Sequence, residues 1–209
     1  MSFDLSLLEE CGIHNDPEKE IANLQKTFED CIKENGPESY NTMLVIYNVD
    51  SDPMFALEAR PYTSKQDMYT CYAEMLYSFR ALEGHSFMMS NDVVLSTHES
   101  TGEPVIKQDS LILSFASRSS SCVVIMPYII DKDNNVIWQH DDFNIASMMG
   151  SEDASALDST GVLVELFYIM SHVKHSPFPF NTLVNYYSFR DFPYTLPPSM
   201  IGEKLLVKL

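Results

Sequence analysis

Basic residues are scarce in this sequence, and it contains no long apolar run. Its 209 residues include 13 Lys and Arg against 30 Asp and Glu, which gives a formal net charge of −17. Because such a chain repels nucleic-acid backbones and anionic membranes, we predict no direct nucleic-acid binding and no membrane association. The longest apolar runs reach about nine residues, whereas a membrane-spanning helix needs about 20. The first residues, MSFDLSLLEE, lack the basic and apolar regions of a signal peptide.

Cysteines are also few, and none belongs to a C-x-x-C pattern. The four, Cys11, Cys31, Cys71 and Cys122, are far apart in the sequence. Most of them stand in apolar helix or strand patterns, which favours buried thiols in a reducing compartment over disulfides. We therefore expect a cytoplasmic protein.

The motifs of the common nucleotide-binding sites are missing as well. The sequence has no Gly-x-Gly-x-x-Gly fingerprint, no Gly-Lys-Ser/Thr phosphate loop and no Gly-x-Ser-x-Gly nucleophile elbow. Ser119 to Cys122 and the run Gly84-His85-Ser86 come nearest to a nucleophile site, but ordinary polar turns explain both. The sequence therefore supports neither the usual nucleotide-binding classes nor a serine hydrolase.

The acidic residues are concentrated towards the N-terminus. Residues 1–60 hold 13 acidic residues and 4 basic ones. An acidic surface of this kind favours a protein partner with a basic surface. The alternative interpretation is that the charge serves solubility alone, or adaptation to a salty medium.

The stretch 109–141 predicts an antiparallel meander of three strands. Leu111, Leu113 and Phe115 fall on one face of the first run, as expected for a half-buried strand. The second run, 123–130, is apolar on both faces, as a central strand covered on both sides would be. Pro127 lies within that run and has no amide hydrogen, so we predict a bulge or a locally unpaired edge there.

Helical spacing and capping residues predict three helices, at about 17–35, 64–83 and 161–174. Further strands are predicted at 42–49, 54–60 and 87–97, with loops at 98–107 and 143–160. Helices and strands that are segregated along the chain are typical of the α+β class. We therefore predict a mainly antiparallel β-sheet with the helices packed on one of its faces.

The whole chain, 1–209, is predicted to form a single domain. Residues 1–15 are expected to form a short helix or an arm that docks on the body of the protein. The C-terminal segment 176–209 begins with a stretch rich in proline and aromatic residues, so we predict an extended, ordered segment there.

His172 and His175 provide the strongest hint of a metal site. On a helix they lie one turn apart, and Glu165 projects from roughly the same face. Two imidazoles and a carboxylate are a common ligand set for zinc or iron, and His140 and Asp141 would join it if the two regions converge. The alternative interpretation is a pair of histidines that stabilise a helix C-terminus. A divalent metal is the one cofactor that the sequence suggests.

The C-terminal segment also suggests a partner-binding surface. Aromatic residues and Arg are the usual anchors of protein interfaces. The candidates are Tyr186, Tyr187, Phe189, Arg190, Phe192 and Tyr194. The alternative interpretation places these side chains in a satellite core beneath a proline-rich wrapper.

Three functional hypotheses follow from these observations. The first is a non-enzymatic protein-interaction protein: an adaptor, an inhibitor or an assembly component. The second is a metal-dependent hydrolase, in which a metal-bound water would be the nucleophile. The third is an acidic mimic of nucleic acid that inhibits a DNA-binding protein.

Overall fold

The computed structural model describes residues 6–11, 16–82, 84–98, 104–117, 121–147 and 180–195. The helices in these ranges are α1 (Ser6–Glu10), α2 (Pro17–Asn35), α3 (Lys65–Ala81) and α4 (Phe180–Phe189). The strands are β1 (Met43–Tyr47), β2 (Pro53–Glu58), β3 (Ser86–His98), β4 (Pro104–Ser117), β5 (Ser121–Ile130), β6 (Val136–Trp138), β7 (Asn144–Ser147) and β8 (Tyr194–Thr195). A 3-10 turn, His140–Asp142, follows β6.

The strands form an antiparallel sheet in the order β6-β5-β4-β3-β1-β2-β8, and β7 also pairs with β5. β4, β5 and β6 are successive neighbours, so the predicted meander over 109–141 is confirmed. Together with the helices this sheet gives the α+β class that the sequence predicts.

β3 and β4 form the longest hairpin of the sheet. Their pairing runs from Ser86 against Ser117 to His98 against Pro104. The predicted polar loop at 98–107 is therefore too long, because its last residues belong to β4. Val105 and Ile106 are β-branched residues, which favour a strand over a loop at this position.

The prediction of a locally unpaired edge at Pro127 is confirmed, because the outer neighbour of β5 changes there. β7 pairs with β5 as far as Ile125, and β6 begins to pair at Tyr128. The Pro127 carbonyl accepts a hydrogen bond from the Gln139 amide at 2.9 Å. The nitrogen and carbonyl of one residue point to the same side of a strand, so the missing donor faces this gap and removes no bond to β4.

Helices lie on both faces of the sheet, so the prediction that they pack on one face is wrong. On the α3 face, α3 and α4 cover β1, β2 and β3, and Phe55, Phe79 and Tyr187 lie at the centre of the core. On the α2 face, α1 and α2 mainly cover β4 and β5, and Phe28 and Phe115 are fully buried. The central strands need cover on both sides because their inner side chains are apolar on both faces.

Two of the helices begin at the residues that the sequence indicates. The Asp16 carboxylate accepts a hydrogen bond from the Lys19 amide at 3.2 Å, and Pro17 opens α2. At the start of α3, the Ser64 hydroxyl accepts a hydrogen bond from the Asp67 amide at 3.1 Å. These bonds satisfy amide groups that have no partner within the helix.

The prediction of an extended segment over 176–209 is wrong at its centre, where α4 forms. The prolines of this segment flank residues 180–192 and none lies within them. Phe180, Leu183, Val184 and Tyr187 have the spacing of one helical face, and Leu183, Val184 and Tyr187 are buried. Composition averaged over the whole segment hides this proline-free window.

Two other predictions concern parts of the chain that are described incompletely or not at all. The predicted helix at 161–174 lies outside the described residues, as does most of the predicted loop at 143–160. Residues 144–147 of that loop form β7, because Ile145 packs against the core of the α2 face.

α1 lies within the predicted N-terminal arm. Its Leu8 is fully buried and belongs to the core of the α2 face, as does Cys11 just after the helix. Of the helices in the described ranges, none is long and apolar enough to cross a membrane.

Candidate functional site

The six predicted partner-binding residues divide into buried and exposed side chains. Tyr187 and Phe192 are buried in the core of the α3 face, where the alternative interpretation of a satellite core places them. Tyr194 is partly buried against the same core. Phe189, in contrast, is 83% exposed, and Tyr186 and Arg190 lie at the margin between core and solvent. We call Tyr186, Phe189 and Arg190 the α4 surface.

The end of α4 explains this division. Asp191 adopts a left-handed conformation with φ 58°, which turns the chain back on the helix. The Phe192 amide then donates to the Tyr187 carbonyl at 3.0 Å. Phe192 thereby enters the core beside Tyr187, with ring centroids 5.2 Å apart, while Phe189 stays on the outer side.

Tyr187 fixes α4 to α3 from within the core. Its hydroxyl donates to the Glu74 carbonyl at 2.7 Å, and its ring stacks on Phe55 at 6.3 Å. Burial raises the pKa of the Tyr187 hydroxyl, so this group remains a donor at any ordinary pH. The helix that presents Phe189 is therefore anchored by both packing and a buried hydrogen bond.

The Glu74 carboxylate is the charged anchor beneath the α4 surface. One oxygen accepts from Arg60 Nε at 3.1 Å, and the other accepts from Arg190 at 3.2 Å and from the Tyr186 hydroxyl at 2.7 Å. Glu74 is only 8% exposed, so its negative charge needs these partners. The bonds hold two of the three side chains of the α4 surface in place.

A second carboxylate completes this buried network. Arg60 is buried and forms a two-pronged pair with Asp67, with its shorter contact at 2.7 Å. The hydrogen bond from Arg60 lowers the pKa of Asp67. The Arg60 guanidinium also lies over the Phe192 ring, 5.7 Å from its centroid. Two arginines thus face two carboxylates, and the network carries no net charge.

The second candidate site is a recess at the opposite end of the sheet. It has a volume of about 410 Å³ and is lined by the consecutive residues from Trp138 to Asp142. The Gln139 amide bonds to β5, and the Asp142 amide donates to the Gln139 carbonyl at 2.9 Å, which closes the 3-10 turn. We call this site the Trp138 recess.

Trp138 is held firmly at the wall of this recess. Its indole Nε1 donates to the Glu29 carboxylate of α2 at 2.5 Å. Its ring packs against Phe28, Tyr128 and Phe143, with centroids 5.7, 5.8 and 6.1 Å away. Trp138 therefore packs against core aromatic side chains and also lines a partly open cavity.

The charges at the Trp138 recess are negative. Asp141 and Asp142 are exposed, and neither carboxylate has a hydrogen bond or an ion pair within the described ranges. Among the described residues, no Lys or Arg lines this recess. Lys33 of α2 is nearby in the fold, but its ammonium donates to Asp133 and Asn135 in the β5–β6 turn at 2.9 and 2.7 Å.

The predicted metal ligands are only partly placed by the structure. His140 and Asp141 lie together in the 3-10 turn of the Trp138 recess. His172, His175 and Glu165 lie outside the described residues. Within the ranges that are described, no group of three or more His, Cys, Asp or Glu side chains is arranged to hold a metal ion. The predicted convergence of the two histidine clusters stays a prediction.

The cysteines agree with the sequence-based expectation. None of the four forms a disulfide; Cys11, Cys71 and Cys122 are buried and Cys31 is partly buried. Burial raises the pKa of the Cys71 thiol to about 11, which makes it a poor nucleophile at neutral pH.

Arg60, Asp67 and Glu74 form a charged group that was not predicted from the sequence. A signal was present, since Asp67 and Glu74 are seven residues apart on a predicted helix and therefore share one face. Their partner Arg60 stands at the end of the preceding strand, where only the tertiary fold brings it to that face.

Comparison of the chain with protein-family models, with curated proteins and with solved structures finds no match.

Proposed function

We propose that this protein is a non-enzymatic interaction protein that binds a protein partner through the α4 surface. The observation that carries the proposal is Phe189, the most exposed of the large apolar side chains in the described ranges, at 83%. Fully burying a Phe side chain contributes about 1.5–3 kcal/mol relative to leaving it in water. An aromatic side chain on a surface, flanked by Tyr and Arg, has the composition of an interface hot spot.

The anchoring of α4 supports this proposal. Tyr186 and Arg190 are tied to Glu74, and Tyr187 and Phe192 fill the core beneath them. A contact surface that is already ordered loses less conformational entropy on binding than a flexible one. Phe189 therefore projects from a rigid base, as a side chain that inserts into a partner's pocket should.

The chemistry of the partner follows from shape and charge. It offers an apolar hollow for Phe189, and its surroundings are basic, because this chain carries a net charge of −17. The charge accelerates encounter, whereas the buried aromatic side chain sets the lifetime of the complex. Cysteines without disulfides support a cytoplasmic setting for this interaction.

Affinity capture with the wild-type protein and two variants tests the proposal. The tagged protein is incubated with native lysate, and captured proteins are quantified for wild type, Phe189→Ser and the control Val49→Ser. Val49 is 64% exposed and lies in the turn between β1 and β2, outside the α4 surface, so its variant matches the loss of an exposed apolar side chain. We expect a stoichiometric partner that Phe189→Ser loses at least about tenfold and Val49→Ser retains. The proposal would be contradicted if both variants captured the partner equally well, or if wild type captured no protein in stoichiometric amount.

The two other hypotheses gain no support from the described residues. The hydrolase depends on side chains that lie largely outside those ranges. The nucleic-acid mimic needs an uninterrupted row of acids, but α2 intersperses Lys19, Lys26 and Lys33 among its carboxylates. The proposal of a protein-interaction protein is therefore retained.

A further inference from the structure

We infer that the Trp138 recess is a second binding site, which receives one arginine side chain of a polypeptide. The inference goes beyond the proposed function, because the recess and the α4 surface lie at opposite edges of the sheet. The recess adjoins β6, whereas α4 leads into β8, and the other strands of the sheet stand between them. The inference therefore holds whether or not a partner uses Phe189.

The size of the recess fits a side chain rather than a folded domain. Its volume of about 410 Å³ is near the lower end of the range of ligand pockets, which is about 300–1,000 Å³. Its lining residues are consecutive in the sequence and sit on a hydrogen-bonded 3-10 turn. A compact site on a fixed turn suits a single protruding group.

The wall of the recess selects a cation. Among aromatic side chains, Trp attracts a cation most strongly, through the negative face of its ring. Trp138 is held by its bond to Glu29 and by its contacts with Phe28 and Tyr128, so its ring is ordered before a ligand binds. His140 lines the same recess, with its ring 4.8 Å from that of Phe143.

The rim of the recess supplies the opposite charge. Asp141 and Asp142 are adjacent, exposed and without an ion pair in the described part of the chain, so both carboxylates are available to a ligand. Lys33, the basic residue that α2 sends towards the same hairpin, is occupied by the β5–β6 turn. The net charge of −17 further raises the local concentration of cationic ligands.

Arginine fits this combination better than other cations. Its planar guanidinium stacks on an aromatic ring and at the same time pairs with carboxylates through several N–H groups. A lysine ammonium is a compact, strongly hydrated charge that stacks less well. The described side chains include no group arranged for a metal ion, and an indole is not a metal ligand.

Fluorescence of the full-length protein provides a direct test, because Trp138 is the single Trp of the chain. The probes are the capped tripeptides acetyl-Gly-Arg-Gly-amide, its lysine counterpart and its citrulline counterpart, which has the shape of arginine but no charge. We expect a saturable change of Trp138 emission with the arginine probe. We expect weaker binding of the lysine probe and none of the citrulline probe. Spermidine, titrated in parallel, separates a peptide site from a site for free polyamines.

Matched variants distinguish a site from a general charge effect. Asp141→Asn combined with Asp142→Asn removes two rim charges, and Asp52→Asn combined with Glu58→Gln removes two exposed charges elsewhere. We expect the first pair to weaken arginine binding at least about tenfold and the second to leave it within about twofold, since hydrogen bonds to charged groups carry most of the affinity.

Three outcomes would overturn the inference: equal binding of the arginine and citrulline probes, equal weakening in both variant pairs, or tighter binding of spermidine than of arginine. Absence of any saturable change in wild type would overturn it as well. The Phe189→Ser variant is expected to bind the arginine probe like wild type, so failure of this inference and failure of the proposed function are measured separately.

Discussion

The two ends of the sheet use charged and aromatic residues in opposite ways. Beneath the α4 surface, Glu74 and Arg60 are buried and an aromatic side chain, Phe189, is exposed. At the Trp138 recess, aromatic rings such as Phe28 are buried and the carboxylates of Asp141 and Asp142 are exposed. A buried ion network therefore lies beneath the α4 surface, whereas an aromatic cluster lies behind the Trp138 recess.

This difference has a consequence for stability. A buried ion network depends on each of its partners, because the loss of one leaves another charge without compensation in a poorly solvating environment. An aromatic cluster depends instead on volume, because its stability comes from packing and from water exclusion. We expect the α4 end to be sensitive to the removal of charge and the β6 end to the removal of bulk.

The largest expected effect is at the aromatic anchor. Phe28 is fully buried against Tyr40, Tyr128 and Trp138, so Phe28→Ala should lower the free energy of unfolding by about 3–5 kcal/mol through lost transfer energy and a cavity. The measurement is urea denaturation followed by circular dichroism, with Phe189→Ala as the same chemical change at an exposed position. A loss below about 1 kcal/mol for Phe28→Ala would show that the cluster is not the anchor of this end.

Removal of one charge should have the next largest effect, at the other end. Glu74→Gln keeps the size of the side chain and an acceptor for Tyr186, but it deprives Arg60 and Arg190 of a counter-charge. We expect a loss of about 3 kcal/mol in the free energy of unfolding. Glu58→Gln, at an exposed carboxylate of β2, is the control and should change stability by less than about 0.5 kcal/mol. Equal effects in the two variants would show that the buried charge of Glu74 does not stabilise this end of the sheet.

A smaller effect is expected for the buried hydroxyl of Tyr187. Tyr187→Phe keeps the ring between Phe55 and Phe192 and removes the bond to the Glu74 carbonyl. We expect destabilisation of about 1 kcal/mol, the usual contribution of one such hydrogen bond. Tyr77→Phe, at a partly exposed position of the neighbouring helix, should be neutral in the same denaturation assay.

The subtlest difference between the ends is the sign of their pH dependence. Arg60 lowers the pKa of Asp67, so Asp67 stabilises the fold above its ordinary pKa, and this contribution is lost as pH falls through the lowered value. Burial raises the pKa of Asp92, which accepts a bond from Tyr128 near the recess, so ionisation of Asp92 reduces stability as pH rises from 3.8 through the raised value.

Two variants separate these signs. Between pH 3 and pH 7, Asp67→Asn should lose stability relative to wild type as pH rises, and Asp92→Asn should gain it. The measurement is the free energy of unfolding in urea at several pH values for the three proteins. If the curves of both variants run parallel to the wild-type curve, neither carboxyl has the shifted pKa that its surroundings imply.

Local sequence patterns predict most of the sheet, because its strands follow simple rules. Alternation in Leu111, Leu113 and Phe115 places β4, and the missing amide of Pro127 indicates the gap beside β5. The run 123–130, apolar on both faces, already indicated cover on both sides of the sheet. The prediction that helices cover one face was based instead on the order of helices and strands along the chain, and this order does not determine on which face a helix packs.

The candidate sites are less predictable, since they depend on residues that only the fold brings together. Arg60 and Glu74 meet because the end of β2 lies beside α3, and Arg190 joins them only through the turn at Asp191. The exposure of Phe189 beside buried Tyr187 needs the helical register of α4, which the proline content of the whole segment concealed. The composition of that segment suggests a protein interface, but it does not predict which side chains point outward and which enter the core.

The interrupted outer side of β5 also affects how copies of this protein meet one another. The strands that border β5 there are β6, with three residues, and β7, with four. A β-strand of another molecule would therefore find only short rows of backbone groups, separated by the break at Pro127. Short and broken edge strands are a common protection against edge-to-edge aggregation. In this protein the proline that ends one pairing and precedes the next makes this edge a poor template for the addition of another strand.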